Sequence, residues 1–189
     1  ESNEFLSKAL KLKNDFFQAA NNQANLFLKI NKANDAIELL KKFDNNENSK
    51  NYILNFTLGN AYQQSGDFNN SRKYYEKCLK INPKSCEPDK AISLMTNYKK
   101  DSTNHLANMK KKLNNKLSKV DLMLLNFSLG KAYEDLNDYK NSLSYLKNAN
   151  KLNNELTEYN SKKEKEIFEN IKLIFKEKIN INSQNNKGN

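Results

Sequence analysis

Glycine and proline are scarce in this chain, with four Gly and two Pro among 189 residues. An all-β domain of such length needs many tight turns, and those turns draw on Gly, Pro, Asn-Gly and Asp-Gly. Their scarcity argues against a β-sandwich or barrel. It also leaves no phosphate loop of the form G-x-G-x-x-G or G-x-x-x-x-G-K-S/T. Cys78 and Cys86 are the only thiols, too few for a disulfide framework, so a reducing, cytoplasmic setting is expected. No C-x-x-C occurs and His105 is the only histidine, so neither a metal site nor another cofactor is expected. No run of ~18 apolar residues is present, so no membrane span is expected. No signal-peptide pattern opens the chain.

Lysine and asparagine fill the space. There are 32 Lys+Arg against 22 Asp+Glu, a net charge of +10, and 35 residues are Asn. Arg72 is the only arginine. Bidentate recognition of phosphate or guanine relies on the guanidinium fork, so nucleic acid is disfavoured as a partner, with lysine-mediated binding kept as an alternative. Lys, Asn, Ile, Phe and Tyr are also the residues of A/T-rich codons, which accounts for a solvated surface bias without any ligand. Lysines spread evenly over the fold would remove the nucleic-acid alternative.

An internal repeat decides the fold class. Residues 54–83 read LNFTLGNAYQQSGDFNNSRKYYEKCLKINP and residues 125–154 read LNFSLGKAYEDLNDYKNSLSYLKNANKLNN. Gly59 and Gly130 stand 71 residues apart, about two periods of ~34 with a short insertion. Phe56, Gly59, Tyr62 and Gln63 follow helical spacing. A mid-helix Gly costs ~1 kcal/mol against Ala, so Gly59 is expected to serve a close helix contact. Gly66 ends the first helix, Asp67 caps the second and Pro83 stops it. Ser71, Tyr75 and Cys78 share a face of the second helix.

This spacing resembles the tetratricopeptide repeat, whose pattern is W-x-x-L-G-x-x-Y, then A-x-x-x-F, then P. Leu58-Gly59 and Leu129-Gly130 match it, as do Tyr62 and Tyr133, with Ser71 and Ser142 at the small-residue position. Cys78 and Ala149 fill the later small position, and Tyr75 and Pro83 also match. Asn55 and Asn126 replace the Trp, Leu146 departs from the aromatic and Asn154 from the proline. The resemblance implies an all-α superhelix of antiparallel helix pairs, a solenoid. Hairpins are expected over about 17–50 (Ala36, Leu40 and Phe43 in its second helix), 52–85, 87–122 and 123–156. The third is degenerate: it carries stripes Ala91, Leu94, Met95, Tyr98 and Leu106, Met109, Leu113, Leu117 but no glycine or small-residue landmarks. Residues 4–13 read as a leading helix, 156–179 as a long amphipathic capping helix and 180–189 as a flexible tail. The whole of 1–179 is expected to be a single repeat domain.

The C-terminal half has a second likeness. Phe127, Leu129, Gly130, Lys131, Ala132, Glu134, Asp135, Leu136, Tyr139 and Asn150 match the last repeat of bacterial tetratricopeptide-repeat sulfotransferases, just ahead of their catalytic domain; Leu143 and Ala149 depart from it. Over about residues 88–178 the chain resembles that repeat region. The likeness implies an N-terminal repeat region of a larger enzyme. No catalytic residue of that family falls within this sequence.

No nucleophile–base pair stands out, and the chain is expected to be non-catalytic. Lys131, Glu134 and Asp135 read as a solvated face. The repeat tyrosines, at core spacing, read as packing residues rather than base-stacking platforms. Cys78 reads as a core thiol, Cys86 as a loop residue open to solvent, and His105 as a surface or partly packed residue with no carboxylate at ligand spacing. In a solenoid the first helix of each pair lines the concave wall. By hairpin phase the groove residues are Asn21, Asn25, Lys29, Phe56, Asn60, Gln63, Gln64, Phe127, Lys131 and Glu134. Asn and Gln amides can pair with an extended peptide's N–H and C=O groups, and Lys with a carboxylate. The expected partner is a protein or peptide segment in that groove. Self-association through the end helix, giving a homodimer, is a further alternative.

Overall fold

A computed structural model describes residues 17–45, 50–100, 104–157 and 164–175. Among these the regular structure is helical throughout, with no strand. The helices are α1 (Phe17–Lys29), α2 (Ala33–Lys41), α3 (Tyr52–Ser65), α4 (Phe68–Ile81), α5 (Glu87–Met95), α6 (Asn104–Lys112), α7 (Lys119–Asp135) and α8 (Tyr139–Thr157). The chain divides after Leu152, inside α8, into two compact units. The expected leading helix at 4–13 and the tail at 180–189 lie outside the described residues. Of the expected capping helix, 156–157 close α8 and 164–175 are helical, while 158–163 and 176–179 lie outside. In the second unit the large apolar side chains of 164–175, from Ile167 to Phe175, are all exposed.

Within the first unit, each helix from α1 to α5 packs on its neighbour in sequence. α1 packs on α2, α2 on α3, α3 on α4, and α4 on α5; α1 also meets α3, and α5 meets α7. In α1 with α3, and in α5 with α7, the first helix of one pair touches the first helix of the next, the packing of a stacked solenoid.

Three of the interhelical turns share one geometry. Asn31, Gly66 and Asn137 adopt left-handed backbone conformations, with φ of 58°, 85° and 60°. The next residue's N–H then reaches back to a carbonyl in the last turn: Lys32 to Phe27 at 2.8 Å, Asp67 to Tyr62 at 2.9 Å and Asp138 to Tyr133 at 2.9 Å. Glycine adopts this conformation freely, and Asn is the side chain that tolerates it best. Asp67 and Asp138 then cap the following helix, accepting from Asn70 N and Asn141 N. Asn51 and Ser118 cap α3 and α7 in the same way.

The hairpin seams rest on small residues. Ser71 Oγ donates to Gly59 O at 2.8 Å, so α4 lies directly on the backbone of α3. A Cβ at Gly59 would stand 2.6 Å from Cε1 of the fully buried Tyr75 ring. A Cβ at Gly130 would stand 2.7 Å from Cδ2 of Leu146, a half-buried aliphatic tip. Asn55 and Asn126, at the Trp position of the repeat pattern, are buried and donate to the carbonyls one turn back, Asn51 O and Leu122 O. One core cluster gathers Ala20, Ala24, Leu40, Leu54, Leu58 and Tyr74; a second gathers Cys86, Tyr98, Met109, Leu125 and Leu129.

The two glycines are therefore predicted to respond differently to alanine. Each substitution gains ~1 kcal/mol of helix propensity. At Gly59 a rigid buried ring must move, and overpacking of that kind costs ~1–3 kcal/mol. Gly59→Ala should lower the urea midpoint, and Gly130→Ala should leave it nearly unchanged, since the Leu146 tip can rotate away. Equal losses would contradict this.

Candidate binding groove

α3, α5 and α7 border a groove of about 310 Å³. Phe56 and Gln63 come from α3, Glu87, Lys90, Ala91 and Leu94 from α5, and Val120 and Leu124 from α7. Two of its apolar side chains face solvent: Leu94 is 61% and Val120 46% exposed. Phe56 is held from behind, stacked on Tyr52 with centroids 6.0 Å apart and tilted against Tyr75 at 5.6 Å. Lys90 lies over the Phe127 ring, 5.5 Å from its centroid.

The ten expected groove residues fall into three groups. Phe56 and Gln63 line the groove. Asn60 sits beside them: the Tyr75 hydroxyl is 2.6 Å from Asn60 Oδ1 and 2.8 Å from Gln63 Oε1, and its single hydrogen serves one of them at a time. Burial pushes the Tyr75 hydroxyl well above the usual phenol range. Phe127 contributes its ring to Lys90. Other members tie adjacent pairs together. Asn21 Oδ1 accepts from Thr57 Oγ1 at 2.8 Å, and Gln64 Nε2 donates to Leu28 O and Asn31 Oδ1. Lys131 Nζ donates to Thr96 O and to Asp135 Oδ2, and lies over the Tyr98 ring. Asn25 is half-buried, and Lys29 and Glu134 are exposed; none of the three borders the groove.

Sequence reasoning missed Lys90, Val120 and Leu124 as groove residues and counted Ala91 and Leu94 as a core stripe. Pro88 was the available signal. It occupies the first turn of α5, where its missing N–H costs nothing, and so marks the start of a first helix.

The third pair owes its lack of small-residue landmarks to a polar core. Asp89, 1% exposed, accepts from Lys112 Nζ and lies 3.2 Å from His105 Nε2. The Tyr98 hydroxyl is 2.7 Å from His105 Nδ1. Asp89 and Tyr98 hold the two ring nitrogens of His105 between them. His105 is thus buried with a carboxylate partner, contrary to the expectation from ligand spacing; 16 residues separate the two in sequence. Cys86 is buried as well, not open, and burial raises both thiols to about 12. The repeat tyrosines pack in pairs, Tyr62 on Tyr74 and Tyr133 on Tyr145, each with centroids 5.5 Å apart. Among the described residues no cluster of three or more His, Cys, Asp or Glu could hold a metal, and no helix is long and apolar enough to cross a membrane.

A family model for the tetratricopeptide repeat matches residues 52–85 and 125–156. These two stretches are tetratricopeptide repeats. The fold is shared with solved structures of MamA. One matches with a TM-score of 0.64 and 19% identity over 82% of this chain and 88% of that one; another with 0.63 and 18% over 83% and 84%. No curated protein matches in sequence.

Away from the groove, a charged cluster joins the end of α2 to α4. Asp44 accepts from the Tyr74 hydroxyl at 2.5 Å and from Lys41 Nζ at 2.8 Å, with Lys77 Nζ at 3.6 Å. Burial pushes the Asp44 carboxyl up, but the bonds from Lys41 and Tyr74 outweigh it and hold it below the usual carboxylate range. Burial, then the bond to Asp44, raises the Tyr74 hydroxyl to about 12. A lowered folded-state pKa stabilises above the unfolded value of ~3.9 and is lost as pH falls through the folded value. Asp44→Asn should therefore be less stable than the wild type at about pH 6, with the gap closing towards about pH 3. Urea midpoints across that range check it; a gap that widens on acidification would contradict it.

Proposed function

We propose that this chain is a non-catalytic protein-binding scaffold that holds a peptide or protein segment in the groove between α3, α5 and α7. The observation that carries this reading is the pair Leu94 and Val120, large apolar side chains left exposed across the groove from a braced Phe56. Burial of apolar surface of this kind drives association. Asn60 and Gln63, oriented by Tyr75, supply polar contacts at the groove's edge. The ligand is accordingly a segment with an apolar anchor side chain and an accessible backbone. The tetratricopeptide repeats and the shared fold with MamA support a scaffold role. A finer reading makes the groove present an acceptor to an attached sulfotransferase domain. It is supported by the sequence resemblance over about residues 88–178 alone.

Titration with peptides carrying a single Leu, Met or Phe in an otherwise polar context tests the groove. NMR shifts are expected to cluster on α3, α5 and α7. Leu94→Glu should weaken the best binder at least ~tenfold with an unchanged circular dichroism spectrum, because a charge would then face the apolar anchor. Shifts confined to the opposite helices, or an unaffected affinity, would overturn the proposal.

A further inference from the structure

The positive charge of this protein is not spread evenly. Within the first unit, the first helices α1, α3, α5 and α7 carry four lysines against five carboxylates, a net charge of −1. The second helices α2, α4, α6 and α8 up to Leu152 carry eleven Lys and Arg against three carboxylates, a net charge of +8. Composition bias alone gives no reason for such a partition. The groove helices are close to neutral, and the excess sits on the helices that do not border the groove.

The excess has a local focus. α4 and Lys50, just ahead of α3, border a second recess, of about 460 Å³, with Lys77, Lys80 and Ile81 as its other walls. Lys50 and Lys80 are exposed, and neither has a carboxylate partner among the described residues. Lys77 is held in place, 4.4 Å from the centroid of the Tyr74 ring and 3.6 Å from Asp44 Oδ1. One turn before it, exposed Lys73 extends the same helix face. Three ammonium groups around a recess attract anionic groups. The surroundings favour carboxylates over nucleic acid. Tyr74 and Tyr75 are buried, the exposed ring of α4, Phe68, stands at the opposite end of the helix, nine residues before Lys77, and the single arginine, Arg72, pairs with Glu76 at 3.4 Å. Ile81 adds an apolar wall, which suits a side chain set among acidic residues.

We propose that the second-helix face, centred on the recess between Lys50, Lys77 and Lys80, docks an acidic, Asp/Glu-rich segment of a partner protein. This face is separate from the groove, so the chain would join two protein segments at once.

Fluorescence anisotropy with a labelled Asp/Glu-rich peptide that carries no large apolar side chain tests it on the full chain. Binding is expected at ~0.05 M salt and lost by ~0.5 M, since exposed charges are screened. The double variant Lys50→Glu/Lys80→Glu alters two exposed side chains and should keep its fold by circular dichroism. It should lower the affinity at least ~tenfold by replacing attraction with repulsion. Absence of binding at low salt, equal affinity for the double variant, or a DNA duplex bound at least as tightly as the peptide would overturn the proposal.

Discussion

The contact between the backbone at Gly59 and the ring of Tyr75 sets the geometry of the central hairpin. With no Cβ at residue 59, α4 descends onto α3 until Ser71 Oγ bonds the Gly59 carbonyl and the Tyr75 ring lies against bare backbone. That approach brings the Tyr75 hydroxyl to Asn60 and Gln63, and its ring braces Phe56. Three side chains at or beside the groove thus owe their positions to one missing methyl group. The last hairpin repeats the seam with Gly130 and Leu146, where an aliphatic tip replaces the ring.

Much of this was legible in the sequence, and the reasons are local. Gly66-Asp67 announces a left-handed turn followed by a cap, and the recurrence of Leu-Gly, Ala-Tyr and a later Ser fixes the second and the last pair in register. The turns at Asn31 and Asn137 use the same backbone geometry, but in a chain with 35 Asn neither one signals itself. The third pair was harder for a different reason. Its interior is held by Asp89, Lys112, His105 and Tyr98, and a buried ion pair with hydrogen-bonded neighbours has no periodic signature. Removing one partner from such a cluster strands a buried charge, so the pair is intolerant of change even where it lacks repeat landmarks.

The groove was legible as a surface but less so as a set of side chains. Hairpin phase identifies the first helices, yet it does not separate residues that face a ligand from those that bridge neighbouring pairs. Asn21, Gln64 and Lys131 face the right way and are spent on Thr57, Asn31 and Thr96. Polar side chains on stacked first helices meet each other before they meet a ligand. The free apolar surface falls instead on Leu94 and Val120, whose exposure depends on where α5 and α7 begin. The charge partition was equally hidden, because it exists only once each lysine is assigned to a first or a second helix.

A double-mutant cycle between Gly59→Ala and Tyr75→Leu tests the seam most directly. If the ring is what the added methyl group meets, the cost of Gly59→Ala should fall by at least ~1 kcal/mol in the Tyr75→Leu background, where a flexible tip replaces it as in the last hairpin. A cost that is the same in both backgrounds, within ~0.3 kcal/mol, would show that Gly59 and Tyr75 are energetically independent and would contradict the account.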